Sequence, residues 1–176
     1  MATSRTDSAS QSGFTLLEMI AVMVILAILA AAMTRGLSRA RERAWRTQAR
    51  ETCRQLCAAW NVYLLDERSF PSSVSGTGLD ATEDNLKELL GKGATNRVYI
   101  EFTAQEQERK AITDHWGQYI KFSLDTDYDN LIDNPAPDEE STTGYGESKL
   151  RASAVAWSLG NPKYAKRKDN AIVAWQ

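Results

Sequence analysis

The chain has 176 residues, of which 43% are hydrophobic and 25% are charged, and its formal net charge is −2. This charge balance argues against a general affinity for nucleic acid, because binding to phosphates requires a strongly basic surface. An apolar segment lies near the N-terminus, and the residues after it suffice for one modest globular domain rather than two.

The first predicted element is a long apolar helix that follows a short polar leader. The leader comprises residues 1–13, and the apolar run extends from Phe14 to Met33. About 20 apolar residues are enough for a helix to cross a bilayer. Within this run Glu18 is the one charged residue. A carboxylate in hydrocarbon is costly and generally marks a function that supplies it with a partner.

Gly13, Phe14 and Glu18, followed directly by the apolar helix, resemble the processing site of type IV pilins and of the pseudopilins of type II secretion. The resemblance implies that a prepilin peptidase cleaves after Gly13 and that the new amine becomes N-methylphenylalanine at position 14. Glu18 is then the fifth residue of the mature chain. In lipid, its carboxylate and the Phe14 amine of a neighbouring subunit would neutralise each other. A head-to-tail contact of this kind builds an open helical filament.

Two other interpretations of the N-terminus stay open. In the first, the segment is a plain signal anchor, and Glu18 reaches toward the membrane interface. In the second, it is a removable secretory signal cleaved near residues 30–32. The leader lacks a strongly positive start, and the apolar run is longer than the 7–15 residues or so of a typical signal core. Both features disfavour the secretory signal.

The helix is predicted to continue to about residue 65 and to carry many arginines. Residues 35–50 contain Glu42 and six basic residues. They are Arg35, Arg39, Arg41, Arg43, Arg46 and Arg50. The positive-inside rule would keep this segment in the cytoplasm. The resemblance instead places the leader in the cytoplasm and the head in the periplasm, as in a single-pass protein of the bacterial inner membrane. We follow the resemblance, because the cleavage site must face the peptidase.

The remaining elements predict an α+β fold of the type IV pilin-like kind, a long N-terminal helix packed against a small C-terminal antiparallel sheet. Helical spacing of Leu56, Trp60, Tyr63 and Leu64 gives the helix one apolar face. A short helix is expected over residues 83–90, and strands over 97–102, 118–124, 152–158 and 171–175. We divide the chain into a leader (1–13), a transmembrane or filament-core helix (14–34), a soluble half of the helix (35–65) and a globular head (66–176).

Cys53 and Cys57 are spaced four residues apart on one face of the predicted helix. Helix geometry strains a direct bridge between them. A pair of cysteines alone is too few for a structural zinc site. We interpret both as small buried residues under the head.

Segments of the head also resemble the major pseudopilin of type II secretion. They are the Thr-Asp-His-Trp-Gly-Gln-Tyr run at residues 113–119, the Trp-Ser-Leu-Gly run at 157–160 and the closing segment at 169–175. His115 stands where that family has proline. In that family an acidic loop between the last two elements binds calcium, but the equivalent residues 161–168 are strongly basic here. Calcium is therefore not expected in that loop.

A different acidic loop spans residues 125–140. Its carboxylates Asp125, Asp127 and Asp129 alternate in the manner of a D-x-D-x-D calcium loop, with Asn130 at the position of the sharp turn. The Leu131 carbonyl and Asp133 would extend the ligand set. The glutamate that usually completes such a loop is missing, because Ala136 occupies its place. The loop is therefore a candidate Ca²⁺ site, and the alternative is a solvated acidic hairpin.

We expect no enzymatic activity, because the sequence pairs no nucleophile with a base and has no phosphate-binding glycine loop. The predicted function is a structural subunit of a type II secretion pseudopilus. Its expected partners are copies of itself, other pseudopilins, the prepilin peptidase, the inner-membrane assembly platform and membrane lipid. The alternatives are a type IV pilus subunit for adhesion, motility or DNA uptake, and a bitopic membrane protein whose head binds calcium or another ligand.

Overall fold

The computed structural model describes residues 15–135, 149–165 and 170–174, and the side chains of residues 32–36 lie outside the description. Helix α1 spans Leu16–Glu67 and helix α2 spans Ala104–Arg109. The strands are β1 Leu79–Asp80, β2 Lys121–Leu124, β3 Ile132–Asp133, β4 Lys149–Leu150, β5 Ala154–Ser158 and β6 Ile172–Val173. A short 3-10 helix covers Pro162–Tyr164. The predicted long helix and α+β fold are confirmed.

The N-terminal unit of the chain extends to Glu42. Helix α1 begins after Thr15, whose Oγ1 accepts a hydrogen bond from the Glu18 backbone N–H at 3.3 Å. This is an N-cap contact, which satisfies one amide that the first turn of a helix leaves without a partner. The large apolar side chains of the first turns are exposed, from 45% at Val22 to 79% at Leu16. Among the residues that the structure describes, no helix meets the length and hydropathy required of a membrane span.

The second unit begins at Arg43 and contains the sheet. Within the described ranges, four strands form an antiparallel sheet in the order β1-β2-β5-β6. The central pair is the longest, with Lys121 opposite Trp157 and Leu124 opposite Ala154. Every residue of β5 is buried. The strands predicted at 118–124, 152–158 and 171–175 are thus found in shorter form.

The core lies between the second half of α1 and one face of the sheet. Leu56 and Trp60 are fully buried on the predicted apolar face of the helix. Trp60 stacks on Phe122 of β2, with ring centroids 5.6 Å apart. Burying side chains of this size supplies about 1.5–3 kcal/mol each. One face of the sheet therefore packs against the same helix whose first turns carry the exposed apolar side chains.

The other face of the sheet is covered as well, which the sequence analysis did not predict. Val155 and Trp157 alternate with the helix-facing alanines of β5 and pack with Ile132 of β3 and Val173 of β6. Strands β3 and β4 pair with each other as a separate two-stranded sheet, and Leu150 of β4 packs against this second cluster. The first part of the acidic loop, residues 125–131, lies between β2 and β3 and connects the main sheet to this second layer.

Two predicted elements are wrong. Residues 97–102 form no strand, because the amides of Tyr99 and Ile100 both donate to the Leu89 carbonyl instead of forming a ladder. Residues 83–90 form successive turns rather than an α-helix, because the bonds from the Leu86 amide to Thr82 and from the Leu90 amide to Leu86 do not extend into a continuous helical ladder. Helix α2 was not predicted, although a capping box formed by Thr103 and Glu106 marks its start.

The buried Asp114 carboxylate holds the C-terminal part of the head together. Its Oδ1 accepts from the amides of Trp116 and Gln118 at 2.9 and 2.8 Å. Its Oδ2 accepts from the Ser158 hydroxyl at 2.5 Å. The turn at residues 114–117 is thereby joined to the end of β5. Such charge-assisted bonds are about twice as strong as neutral ones.

Cys53 and Cys57 are free thiols on the face of α1 that meets the sheet. Cys53 is fully buried, and Cys57 is partly buried near the Ala156 backbone of β5. Burial raises the pKa of both thiols, that of Cys57 from its ordinary value of 9.0 to about 12. The interpretation as a small buried residue is confirmed for Cys53, whereas Cys57 packs against the core and is only partly buried.

Candidate functional site

The sequence analysis placed functional residues at two sites, the N-terminal processing site and the acidic loop. At the first, Gly13 and Phe14 lie outside the described residues. Glu18 lies in the first turn of α1 and is exposed. A carboxylate at this end of a helix interacts favourably with the helix dipole, by about 0.3–1 kcal/mol. The exposed side chain is also accessible to a group outside its own chain.

The acidic loop brings three of its predicted residues together. Asp125, Asp127 and Asp129 each offer a carboxylate oxygen, and these oxygens lie within 4.8 Å of one another. The group of three does not include Asp133, which belongs to β3 and lines the same cavity of about 240 Å³. Leu131 lines this cavity too. The sequence therefore predicted the centre of the cluster correctly, whereas Asp133 lies at its edge.

The backbone of the loop turns sharply to bring these carboxylates together. The amide of Asn130 donates to Asp125 Oδ2 at 2.8 Å, and the amide of Leu131 donates to Asp129 Oδ1 at 2.8 Å. Asn130 has φ of 61°, in the left-handed region that glycine occupies in calcium loops. Asparagine tolerates this conformation better than most residues with a side chain. This explains how a loop without glycine makes the turn.

Asp125 differs from the other two acids because it is buried. Asp125 is only 5% exposed, and its Oδ1 has no hydrogen-bond partner in the described structure. Burial, followed by the neighbouring carboxyl of Asp127, raises the pKa of Asp125, while the Asn130 amide opposes that rise. Asp127 and Asp129 are exposed. The cluster therefore presents one buried and two solvent-facing carboxylates.

Tyr128 anchors the loop to the segment that follows α1. Its hydroxyl accepts a hydrogen bond from the Phe70 backbone N–H at 2.7 Å. Its ring stacks on that of Phe70, with an interplanar angle of 6° and centroids 6.2 Å apart. Sequence reasoning did not assign Tyr128 a role. Its position between two acidic residues gives no signal of a contact 58 residues away.

His115, the single histidine of the chain, packs against aromatic rings rather than against a nucleophile. Its ring lies 5.2 Å from that of Trp45, and Trp116 lies 6.0 Å from the same tryptophan. His115 therefore lies in a turn and contributes to an aromatic cluster.

Residues 8–34 match the family model described as the prokaryotic N-terminal methylation motif. The chain carries a prepilin methylation motif. This motif indicates a type IV pilin-like subunit that is processed from a prepilin, a class of proteins that are generally structural subunits. The match ends before the globular head. No curated protein and no solved structure matches the chain.

Proposed function

We propose that this protein is a structural subunit of a type II secretion pseudopilus. A prepilin peptidase cleaves it after Gly13 and methylates Phe14, and the mature subunits assemble into a helical filament that assists protein export across the outer membrane. The observation that carries the proposal is the methylation motif at residues 8–34. The motif supports processing and assembly, and the resemblance of the head segments to the major pseudopilin supports a role in secretion.

The exposed apolar surface of the first helical turns supports a membrane-anchored precursor. Large apolar side chains from Leu16 to Leu29 are each at least 45% exposed. A contiguous apolar surface of this kind requires an apolar partner. In the precursor the partner is lipid of the inner membrane, with the leader in the cytoplasm and the head in the periplasm. In the filament the partner is the same segment of neighbouring subunits.

Glu18 gives the assembled subunits their register. The ammonium of a mature Phe14 and the Glu18 carboxylate are each costly in an apolar environment unless they meet. One subunit supplies the amine and its neighbour supplies the carboxylate, so one axial offset satisfies both charges. Glu18 is accessible for such a contact because its side chain is exposed in the single chain.

The internal bonding of the head supports the pseudopilin interpretation. The segments that resemble the major pseudopilin are the ones that tie the head together. Asp114 bonds to Ser158, and the Asn170 side-chain amide donates to the carbonyls of Leu159 and Asn161 at 2.7 and 3.0 Å. These contacts join residues 113–119, 157–160 and the closing segment. The segments that resemble the major pseudopilin are therefore connected to one another by hydrogen bonds in this part of the head.

The first test is the intact mass and N-terminal sequence of the protein isolated from its native membrane. We expect a chain that begins at N-methylated Phe14. Gly13→Ala should retain the leader, whereas the neighbouring change Ser12→Ala should leave processing intact. A wild-type chain that still begins near Met1 would contradict the proposal and favour a bitopic anchor.

The second test separates secretion from pilus function. In a strain that lacks this protein, we expect exported proteins to disappear from the culture fluid and to return when the wild-type chain is restored. Normal export together with lost surface filaments, motility or DNA uptake would assign the subunit to a type IV pilus instead. The processed N-terminus is common to both outcomes, so this experiment decides only the kind of filament.

A further inference from the structure

The acidic loop between β2 and β3 contains three carboxylates that form none of the ion pairs found among the described residues, and Lys149 lines the same cavity. Asp125, Asp127 and Asp129 place oxygens within 4.8 Å of one another. Within the described residues, the ion pairs are formed by other acids, namely Asp66, Asp80 and Glu83. Like charges at such separations repel one another, most strongly where a carboxylate is buried. A bound cation would offset this repulsion.

A second and independent observation is the buried oxygen of Asp125. The residue is 5% exposed, its Oδ2 accepts from the Asn130 amide, and its Oδ1 accepts no hydrogen bond in the described structure. A buried acceptor without a partner costs about 1–3 kcal/mol, and more when it is charged. Asp125 also supplies one of the three clustered oxygens, so a cation held by the group would act on this buried carboxylate.

We propose that Asp125, Asp127 and Asp129 bind a calcium ion. Calcium takes six to eight oxygen ligands at about 2.3–2.6 Å. Two oxygens on opposite sides of one ion are therefore up to about 4.6–5.2 Å apart, which accommodates the 4.8 Å limit of the cluster. Leu131 lines the same cavity, and its carbonyl is the expected backbone ligand. Exposed Asp127 and Asp129 leave room for water in the rest of the coordination shell.

The ion acts on the head through Tyr128. This residue lies between two of the ligands, and its hydroxyl accepts from the Phe70 amide at 2.7 Å. Calcium fixes the loop on both sides of Tyr128 and thereby stabilises its contact with the segment that follows α1. The ligands belong to a different segment of the sequence from residues 161–168, and the proposal does not depend on which machine the filament serves.

The test is titration of the detergent-solubilised full-length chain with CaCl₂, followed by calorimetry and by thermal unfolding. With three carboxylates and no bidentate glutamate, we expect a dissociation constant on the order of 10⁻⁴–10⁻³ M. Saturating calcium should raise Tm by about 3 °C. Equal concentrations of MgCl₂ should have a smaller effect, because Mg²⁺ gives up its water reluctantly.

The decisive variant is Asp127→Asn, because this exposed residue can lose its charge without disturbing the core. Its calcium affinity should fall about tenfold or more, while its Tm in chelator should be no lower than that of wild type, because the change also removes one of the mutually repelling charges. The matched control is Asp84→Asn, another exposed aspartate in the head, which should bind calcium normally. The proposal is overturned if wild type binds no calcium at about 10 mM, tenfold above the weakest expected constant. It is also overturned if the two variants behave alike.

Discussion

Helix α1 contains two regions that use apolar side chains in opposite ways. In the first, each large apolar residue from Leu16 to Leu29 is between 45% and 79% exposed. In the second, Cys53, Leu56 and Trp60 are fully buried against the sheet. A helix that is apolar all round requires partners from outside its chain, whereas a helix with one apolar face can be covered by its own chain. The exposed apolar side chains therefore suit the first region to contacts with other molecules. The buried apolar face suits the second region to folding.

The sharpest test of this comparison is one leucine-to-alanine change in each region. Leu56→Ala should reduce the free energy of unfolding of the head by about 2–5 kcal/mol, because it leaves a cavity among buried side chains. Leu26→Ala removes the same atoms from a side chain that is 59% exposed, so the change should stay within about 0.5 kcal/mol. Urea unfolding in detergent, followed by near-ultraviolet circular dichroism, measures both. Equal losses would remove the distinction between the regions.

A smaller effect is expected from the two thiols of the folding region. Well below pH 9 both thiols are protonated in the folded and the unfolded chain. They therefore add no pH dependence to the free energy of unfolding in that range. Above that pH the unfolded chain releases protons that the buried thiols retain, since the pKa of Cys57 is raised to about 12 and that of Cys53 is also raised. Stability should fall with rising pH, by at most about 1.4 kcal/mol per pH unit for each thiol.

The measurement is the free energy of unfolding between about pH 8 and 11 under reducing conditions, a range that spans the ordinary thiol pKa. Tyrosine and lysine titrate there too, so the comparison is with Cys57→Ala, which should show the shallower slope. Identical slopes in the variant and wild type would mean that Cys57 is accessible to solvent in the folded head.

The smallest effect on stability, with the largest on assembly, is expected at Glu18. Glu18→Ala should change head unfolding by less than about 0.5 kcal/mol, yet purified filaments should be scarce in cells that express it. Glu51→Ala changes an exposed glutamate in the folding region of the same helix and should leave filaments intact. Electron microscopy of sheared filaments measures the outcome. Normal filament numbers in Glu18→Ala would refute the proposed pairing with the Phe14 amine.

Much of the fold could be predicted, because strong periodic patterns depend mainly on local sequence. The predicted helix of residues 14–65 corresponds to Leu16–Glu67, and the apolar face through Leu56 and Trp60 is the one that packs on the sheet. The failures concern segments whose partners are distant in sequence. Residues 97–102 alternate like a strand, but Val98 is 53% exposed and pairs with Leu90 only as an isolated bridge.

The candidate sites divide in the same way. The clustering of the alternating aspartates could be predicted because their spacing along the chain is itself the signal, whereas the role of Glu18 stays a prediction. The role of Asp114 could not, since it depends on a bond to Ser158, 44 residues away. The burial of Asp125 and the anchoring of Tyr128 at Phe70 likewise depend on how the second layer packs. Sequence spacing identified the carboxylates but not which of them would lose contact with solvent.

The four-stranded sheet ends on both sides in strands of only two residues, β1 and β6. A long, flat edge strand would offer its amides and carbonyls to any neighbouring chain and would promote aggregation. Heads that decorate a filament are held at high local concentration, where such an edge would be most hazardous. Within the described part of the head, the short edges leave side chains to mediate contacts between neighbours. Neighbouring heads can therefore lie close together without pairing their edge strands into one continuous sheet.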